Sequence, residues 1–402
     1  MSKVVLTLNA GSSSMKFGVF AVDGAQPELV AKGQVEGIGT NPHFVAKSAA
    51  GKLLAEAYWE PVGGGAGHTV AFRKIWSWLS DGHGAEQILA VGHRIAHGGA
   101  AYAQPVVIDE GVTQELTRLI PLVPLHQPHN LAVVNAVRLS HPDLPQVACF
   151  DTSFHCNRPE VSDCFALPYE LYEKGVRRYG FHGLSYEFIS RRLGELAPDV
   201  ANGRVVVAHL GSGCSMTAIR DNRSVETTMS FSSLDGVPMG TRCGTLDPGV
   251  LLYLIQQEKL DADALQDMLY KRSGLLGLSG ISNDMRALQE SDEPRARAAI
   301  DYFVYRVGQH LGALCAALGG IDALVFTAGI GENDTGLRQR VCDDAAWLGI
   351  TIDNAANARA ELKISTSDSP VSVWVIPTNE EFMIATHTLR LIDNPQASLR
   401  TA

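Results

Sequence analysis

The sequence predicts an α/β protein built on a duplicated core. Three observations carry this expectation. Strand-like runs rich in β-branched residues alternate with amphipathic helical stretches along the chain. A strand–turn–strand pattern occurs twice, about two hundred residues apart: Val4-Val5-Leu6-Thr7-Leu8 runs into Asn9-Ala10-Gly11-Ser12-Ser13-Ser14 and Met15-Lys16-Phe17, and Val205-Val206-Val207-Ala208-His209 runs into Leu210-Gly211-Ser212-Gly213-Cys214-Ser215 and Met216-Thr217. Finally, the 402 residues suffice for two domains with substantial cores.

In chain order, short apolar runs bounded by Gly, Pro or Asn read as strands at 4–8, 89–93, 147–150, 205–209, 323–327 and 371–376. Helical periodicity falls at 71–79, 131–139, 186–196, 298–318 and 380–391. The glycine-rich stretch 61–67 reads as a loop. Thr378 and Glu381 have capping-box spacing at the start of the last helix, which leaves Glu380 to compensate the helix dipole or to meet a metal. No long Pro/Ser linker divides the chain, so the repeated turn sets the boundary, near residue 150. The expected domains are 1–150 with 385–402, and 151–384. The second copy of the turn is read as one residue longer than the first. Gly/Ser turns expose backbone N–H groups and hydroxyls that suit phosphate oxygens, although two ordinary hairpins would give the same pattern.

Composition narrows the partners. The net charge is −10 with 46 % hydrophobic residues. The chain is therefore globular, and its acidic balance argues against nucleic acid. A few buried arginines can still bind a small anion locally. Seven cysteines without a CxxC pair argue against a disulfide framework or structural zinc. No signal-like opening and no apolar run of about eighteen residues occurs, so a cytoplasmic protein with no membrane span is expected.

No Walker-type GxxxxGK[ST] string or complete GxGxxG is present, so a nucleotide must be held in another way. After the strand at 323–327, Ala328-Gly329-Ile330-Gly331-Glu332-Asn333 reads as a glycine turn into a helix; it is either an anion-binding N-terminus or simply a tight turn. Gly92-His93-Arg94-Ile95-Ala96-His97-Gly98-Gly99 and Met239-Gly240-Thr241-Arg242-Cys243-Gly244 each set an arginine fork among glycines. The HxxxH spacing of His93 and His97 has no third metal ligand. Asp151 follows a strand, where α/β proteins bind ligands, and His182 sits between glycines. Asp151 and His182 become informative only in combination.

Together these strings resemble the acetate kinase family. NAGSSSMK, GHRIAHGG, PLHQP, FDTSFH, RRYGFHGLSY, HLGSGCS, MGTRCG, SGLLGLSGISNDMR, FTAGIGEN and IPTNEE stand in the family's order from residue 9 to residue 381, nearly the whole chain. The resemblance implies the duplicated, ribonuclease H-like fold of the acetate and sugar kinase/Hsp70/actin superfamily, with ATP in the cleft between two related domains, and a homodimer. It implies reversible, ATP-dependent phosphorylation of acetate to acetyl phosphate, with Mg²⁺ (or Mn²⁺) held at Asn9 and Glu380. Arg94, Asp151, His182 and Arg242 match the catalytic residues, Arg94 also meeting the carboxylate. Lys16, His209, Leu210, Gly211, Ser212, Gly213, Asp284, Met285, Arg286, Gly329, Ile330, Gly331, Glu332 and Asn333 match nucleotide-binding positions, and His126 a further active-site histidine.

The departures are local. The family often has Asn at Ser212, Thr at Leu184, His at Tyr186 and Asp at Thr245. Its apolar substrate wall usually has Val at Ala96 and Pro at Ser233, while Leu125 and Phe181 keep the usual types. Smaller walls would admit one more methylene, worth about 1–3 kcal/mol of discrimination, and so favour propionate. A propionate kinase of the same family is thus the nearest alternative. An ATP-driven clamp or a carbohydrate kinase suits a two-arginine site less well.

Overall fold

Strand β1 (Val4–Ala10) lies at the centre of the first of two sheets in the computed structural model, which describes residues 3–62, 66–83 and 88–394. Within the loop expected at 61–67, residues 63–65 lie outside the described residues, as do 395–402. The same sheet takes β2 (Met15–Ala21), β3 (Glu28–Glu36), β4 (His43–Ser48), β5 (Leu53–Tyr58), β6 (Ile88–Ile95), β7 (Val106–Val107) and β8 (Gln146–Phe150). Their order is β5-β4-β3-β2-β1-β6-β8-β7. The second sheet contains β9 (Val205–Leu210), β10 (Cys214–Arg220), β11 (Arg223–Thr227), β12 (Ala323–Thr327) and β13 (Ser372–Val375), in the order β11-β10-β9-β12-β13.

The two sheets repeat one topology. β3-β2-β1 is an antiparallel meander followed by parallel β6 and β8. β11-β10-β9 is likewise antiparallel and is followed by parallel β12 and β13. The sequence echo therefore marks the same hairpin in each sheet. Its length difference runs opposite to expectation: Ala10 pairs with Met15 across a four-residue loop, whereas Leu210 pairs with Cys214 across three. Gly11 N–H closes the first loop on Ser14 O at 2.8 Å, and Gly211 N–H closes the second on Gly213 O at 3.1 Å.

The chain divides into two compact units, Met1–Cys156 with Asn379–Ala402, and Asn157–Thr378. The crossings fall slightly after 150 and slightly before 385, so Asp151 and Glu380 both belong to the first unit. In that unit Leu6, Leu8, Phe17, Phe72 and Ile75 are almost fully buried, and Phe17 stacks on Phe44 with ring centroids 5.9 Å apart. In the second unit every residue of β9 is buried, as expected of a strand covered on both faces. The helix Pro294–Leu318 packs on that sheet, buries Ala296, Ile300, Phe303, Val307, Leu311 and Leu318 at helical spacing and stops at Gly319, whose φ is +70°.

The last helix, Glu380–Asp393, packs on β6 and β1. Gly92 permits this approach: a Cβ there would lie 2.2 Å from Thr388 Oγ1 and 2.6 Å from Ile384 Cγ2. The expected Thr378–Glu381 capping box does not form. Asn379 is the N-cap and accepts from Phe382 N–H at 3.0 Å, because the hydroxyl and amide of Thr378 are bonded elsewhere.

Candidate active site

In the first unit, the carboxyl ends of β1, β6 and β8 gather three of the residues singled out in the sequence. Register places Leu8 opposite His93 and Arg94 opposite Cys149, and Asp151 N–H bonds Ile95 O at 3.1 Å just beyond β8. Parallel strands leave their ligand-binding crevice at this end. The Arg94 guanidinium meets Asp151 bidentately, Nε to Oδ1 at 2.9 Å and Nη2 to Oδ2 at 2.5 Å, and Nη1 donates to Asn9 Oδ1 at 3.1 Å. Asp151 is buried and Arg94 retains 18 % side-chain exposure.

Glu380, half-buried at the start of the last helix, adds a second carboxylate to this charge cluster. Burial pushes its carboxyl up to about 7; Arg94 opposes the shift, while the negative charges of Asp151 and Glu381 reinforce it. Burial disfavours the charge on Arg94, but Asp151 and Glu380 outweigh it and hold the guanidinium above its usual value. Lys16 is exposed at the start of β2, and its charge acts on Glu380 in the opposite sense to Asp151.

Sequence reasoning missed the amides that shape this end of the sheet. Asn130 accepts from Ala96 N–H at 3.0 Å and donates to Ala10 O at 2.8 Å. Gln127 accepts from His97 N–H at 3.2 Å and donates to His97 O at 3.1 Å. His68 bonds Gly11 O at 2.7 Å. Together they substitute for ladder bonds where β1 and β6 leave the sheet. His126 stands at the N-cap of the helix Gln127–Ser140, next to half-buried Leu125.

In the second unit, His182 has left-handed backbone, φ +58°, immediately before the helix Gly183–Leu196. A Cβ on Gly213 would lie 3.3 Å from His182 Nε2 and 3.9 Å from Arg242 Nη1, so the bare glycine leaves room beside both nitrogens. Arg242 Nη1 also bonds the Ser233 carbonyl at 3.2 Å. Ser233 and Phe181 are buried in this unit, whereas Ala96 and Leu125 belong to the other.

A cavity of about 620 Å³ unites three sequence-distant segments of the second unit. Gly211 and Ser212, Asp284 through Arg286, and Gly329, Ile330 and Asn333 line it, as do Gly240, Leu275, Asn283 and Phe303. The size suits a nucleotide-sized ligand. His209, Leu210, Gly213, Gly331 and Glu332 are not among the lining residues. Glu332 instead braces its own segment, which folds as the short helix Ala328–Asn333 directly after β12 and not as a glycine turn: its Oε1 accepts from Ala328 N–H at 2.8 Å and Thr378 N–H at 3.1 Å. Arg338, wholly buried, donates to the carbonyls of Gly331 and Glu332, both at 2.9 Å, and to Asn357 Oδ1 at 2.8 Å. No sequence signal marked this arginine, because all but one of these partners are backbone carbonyls and the other, Asn357, is distant in sequence.

Comparison with known proteins places these features in context. Residues 4–386 match the model of the acetokinase family. The chain is 51 % identical to an acetate kinase of Nitrobacter hamburgensis over 398 residues, 98 % of each chain. It is 50 % identical to an acetate kinase of Rhizobium meliloti over 393 residues, 98 % of this chain and 99 % of that one. Among solved structures, a propionate kinase from Francisella tularensis superposes with a TM-score of 0.90 at 35 % identity, covering 96 % of this chain and 99 % of its own. Porphyromonas gingivalis acetate kinase gives 0.87 at 36 % identity, covering 97 % and 100 %.

Proposed function

The chain belongs to the acetokinase family, and on that premise we propose that it is an acetate kinase, transferring the γ-phosphoryl group of ATP to acetate to give acetyl phosphate and ADP. The observation that carries the reading is the arrangement of Arg94. Three of its five N–H donors are engaged by Asp151 and Asn9, leaving two for an incoming anion. A short carboxylic acid has a pKa of about 4–5, so it arrives ionised and needs no general base. The difficulty is to bring two anions together, which calls for fixed positive charge and in-line positioning.

In this reading Asp151 orients Arg94, since both of its oxygens accept from the guanidinium. Arg94 receives the carboxylate. His182 and Arg242 offer donors to phosphoryl oxygens. Gly211, Ser212, Asp284, Arg286, Gly329 and Asn333 surround the nucleotide, which the cavity they line supports. Lys16 adds positive charge at the first turn.

The hard oxygen donors Asn9 and Glu380 fit Mg²⁺, which keeps several waters and takes one or two protein ligands. Among the described residues no cluster of three or more His, Cys, Asp or Glu competes as a metal site. When bound, the ion neutralises phosphate charge.

A propionate kinase is the second reading, favoured by the small Ala96 and Ser233 side chains. A homodimer is supported by the apolar helix Pro248–Gln256, which has no buried residue and exposes Leu252, Tyr253 and Ile255. No helix of the described residues is long and apolar enough to cross a membrane, and we place the enzyme in the cytoplasm.

The test is hydroxylamine trapping of acyl phosphate with ATP, Mg²⁺ and acetate, propionate or butyrate in turn. Trapped product with acetate is the expected result; none with any of the three would defeat the reading.

A further inference from the structure

The turn after β1 is held by its carbonyls. Asn130 Nδ2 donates to Ala10 O at 2.8 Å, His68 Nε2 to Gly11 O at 2.7 Å and Ile38 N–H to Ser13 O at 2.9 Å. Ser14 O accepts from Gly11 N–H within the turn, at 2.8 Å. These anchors meet at one junction of the first unit. Gly67 lets the helix Gly67–Trp78 start against Ile38, since a Cβ there would lie 2.7 Å from Ile38 Cγ2. His68, the next residue, is 4 % exposed and stacks on half-buried His129, with ring centroids 4.4 Å apart and planes 25° from parallel. His129 directly precedes Asn130, so the helix Gln127–Ser140 supplies both the stacking ring and the anchor for Ala10.

We propose that His68 is a positioning residue whose bond to Gly11 O turns the Ser12 N–H outward, toward an incoming phosphoryl oxygen. Peptide geometry carries the inference. In a trans peptide the C=O of one residue and the N–H of the next point in opposite directions. No peptide bond among the described residues is cis. Fixing Gly11 O on His68 therefore aims the Ser12 N–H away from the helix Gly67–Trp78. Ile38 does the same for the Ser14 N–H by holding Ser13 O. Ser12 and Ser13, at the tip of the turn, are exposed. Backbone N–H groups turned outward from a tight turn suit an anionic oxygen. A carbonyl only accepts, so His68 Nε2 carries a proton. The neutral and the charged ring both have it. Burial favours the neutral ring by lowering its pKa, against the opposing effect of the bond to Gly11 O. A ring wedged on His129 also fixes the direction of the peptide, which a water in its place would not. Donors fixed in advance need no reorientation as charge develops. The inference rests on the reading that the first turn serves the transferred phosphoryl group.

The experiment compares two variants of the full-length protein, using the acid that gives trapped acyl phosphate. His68→Phe keeps an aromatic ring against His129 and removes the donor. It should lower kcat about 3- to 10-fold, the worth of one hydrogen bond. ADP affinity by calorimetry should stay unchanged, because the nucleotide-sized cavity belongs to the second unit. His68→Gln keeps a side-chain N–H donor and should recover kcat to within about 2-fold of the wild type. Wild-type kcat in His68→Phe, equal losses in the two variants, or a loss of ADP affinity as large as the loss of kcat would overturn the proposal. A second measurement needs no altered protein to be active: ¹⁵N–¹H correlation of the imidazole nitrogens in ¹⁵N-histidine-labelled wild type, with the His68→Gln sample to assign the ring. His68 should be protonated on Nε2, and a ring protonated on Nδ1 alone would overturn the proposal. That spectrum requires no turnover, so its failure is distinct from failure of acyl-phosphate trapping.

Discussion

Replacing Gly92 by alanine tests whether close packing of the last helix sets the position of Glu380. The new Cβ would start 2.2 Å from Thr388 Oγ1, 2.6 Å from Ile384 Cγ2 and 3.4 Å from Ile384 O. Comfortable carbon contacts begin at about 3.5 Å, so the helix must yield by roughly an ångström. Neither neighbour is the loose end of a long side chain: both branch at Cβ, both are fully buried, and Thr388 Oγ1 is bonded to Ile384 O at 2.7 Å. Overpacking of this kind costs about 1–3 kcal/mol. In a unit of about 180 residues that corresponds to a fall in Tm of about 2–12 °C. Ile384 lies one turn from Glu380, so the displacement reaches the charge cluster, where an ångström of misplacement costs about 100-fold in rate. The assays are thermal unfolding and kcat. Removing the nearest obstacle with Thr388→Ala should recover about 1 kcal/mol in the double variant relative to additivity. A Gly92→Ala protein with wild-type Tm and kcat, or a strictly additive cycle, would refute the reasoning.

Four further outcomes are expected. Arg242→Ala should lower kcat at least about 100-fold with ATP affinity retained, whereas Arg94→Ala should also raise the KM for acetate, as steady-state kinetics would show. Ala96→Val with Ser233→Pro should lower the propionate-to-acetate ratio of kcat/KM about 10-fold, and an unchanged ratio in a competition assay would remove both from specificity. Arg338→Met strips the carbonyls of Gly331 and Glu332 of their buried donor; it should cost about 3 kcal/mol by urea denaturation and raise the KM for ATP. Burial pushes His93 and His97 down to about 4, so the unfolded chain takes up their protons first as pH falls. Their contribution to stability is complete above about pH 6.5 and declines toward pH 4, by up to about 1.4 kcal/mol per pH unit for each. A His93→Gln variant should therefore show a shallower loss of urea midpoint between pH 7 and pH 5 than the wild type.

Residues whose chemistry is intrinsic were readable from the sequence. An arginine among glycines and an aspartate at a strand end stand out by residue type and local pattern, and Arg94 and Asp151 lie at the ends of strands; the 328–333 segment also follows a strand, but as a short helix and not as the glycine turn its sequence suggested. Contacts that arise only when distant segments meet were not readable. Asn130 joins Ala10 and Ala96, Gln127 clasps His97, and Arg338 ties Gly331 to Asn357; nothing local distinguishes these side chains from others of their type. Local rules also lose to tertiary bonding, as at Thr378, where Ser185 and Glu332 take the groups that a capping box would have used.

The interrupted course of the first unit bears on how the molecule is made. The second unit, continuous from Asn157 to Thr378, holds all of its own elements in one run of chain, whereas the first is not complete until its last helix joins it. Until that helix emerges, Val5, Phe20 and the face of β6 at Gly92 have no cover, since Ala385, Ile384 and Thr388 supply it. Glu380 arrives on the same segment. The charge cluster around Arg94 and the closure of the first core are thus finished in one late step of translation, so that a nascent chain short of this point carries neither.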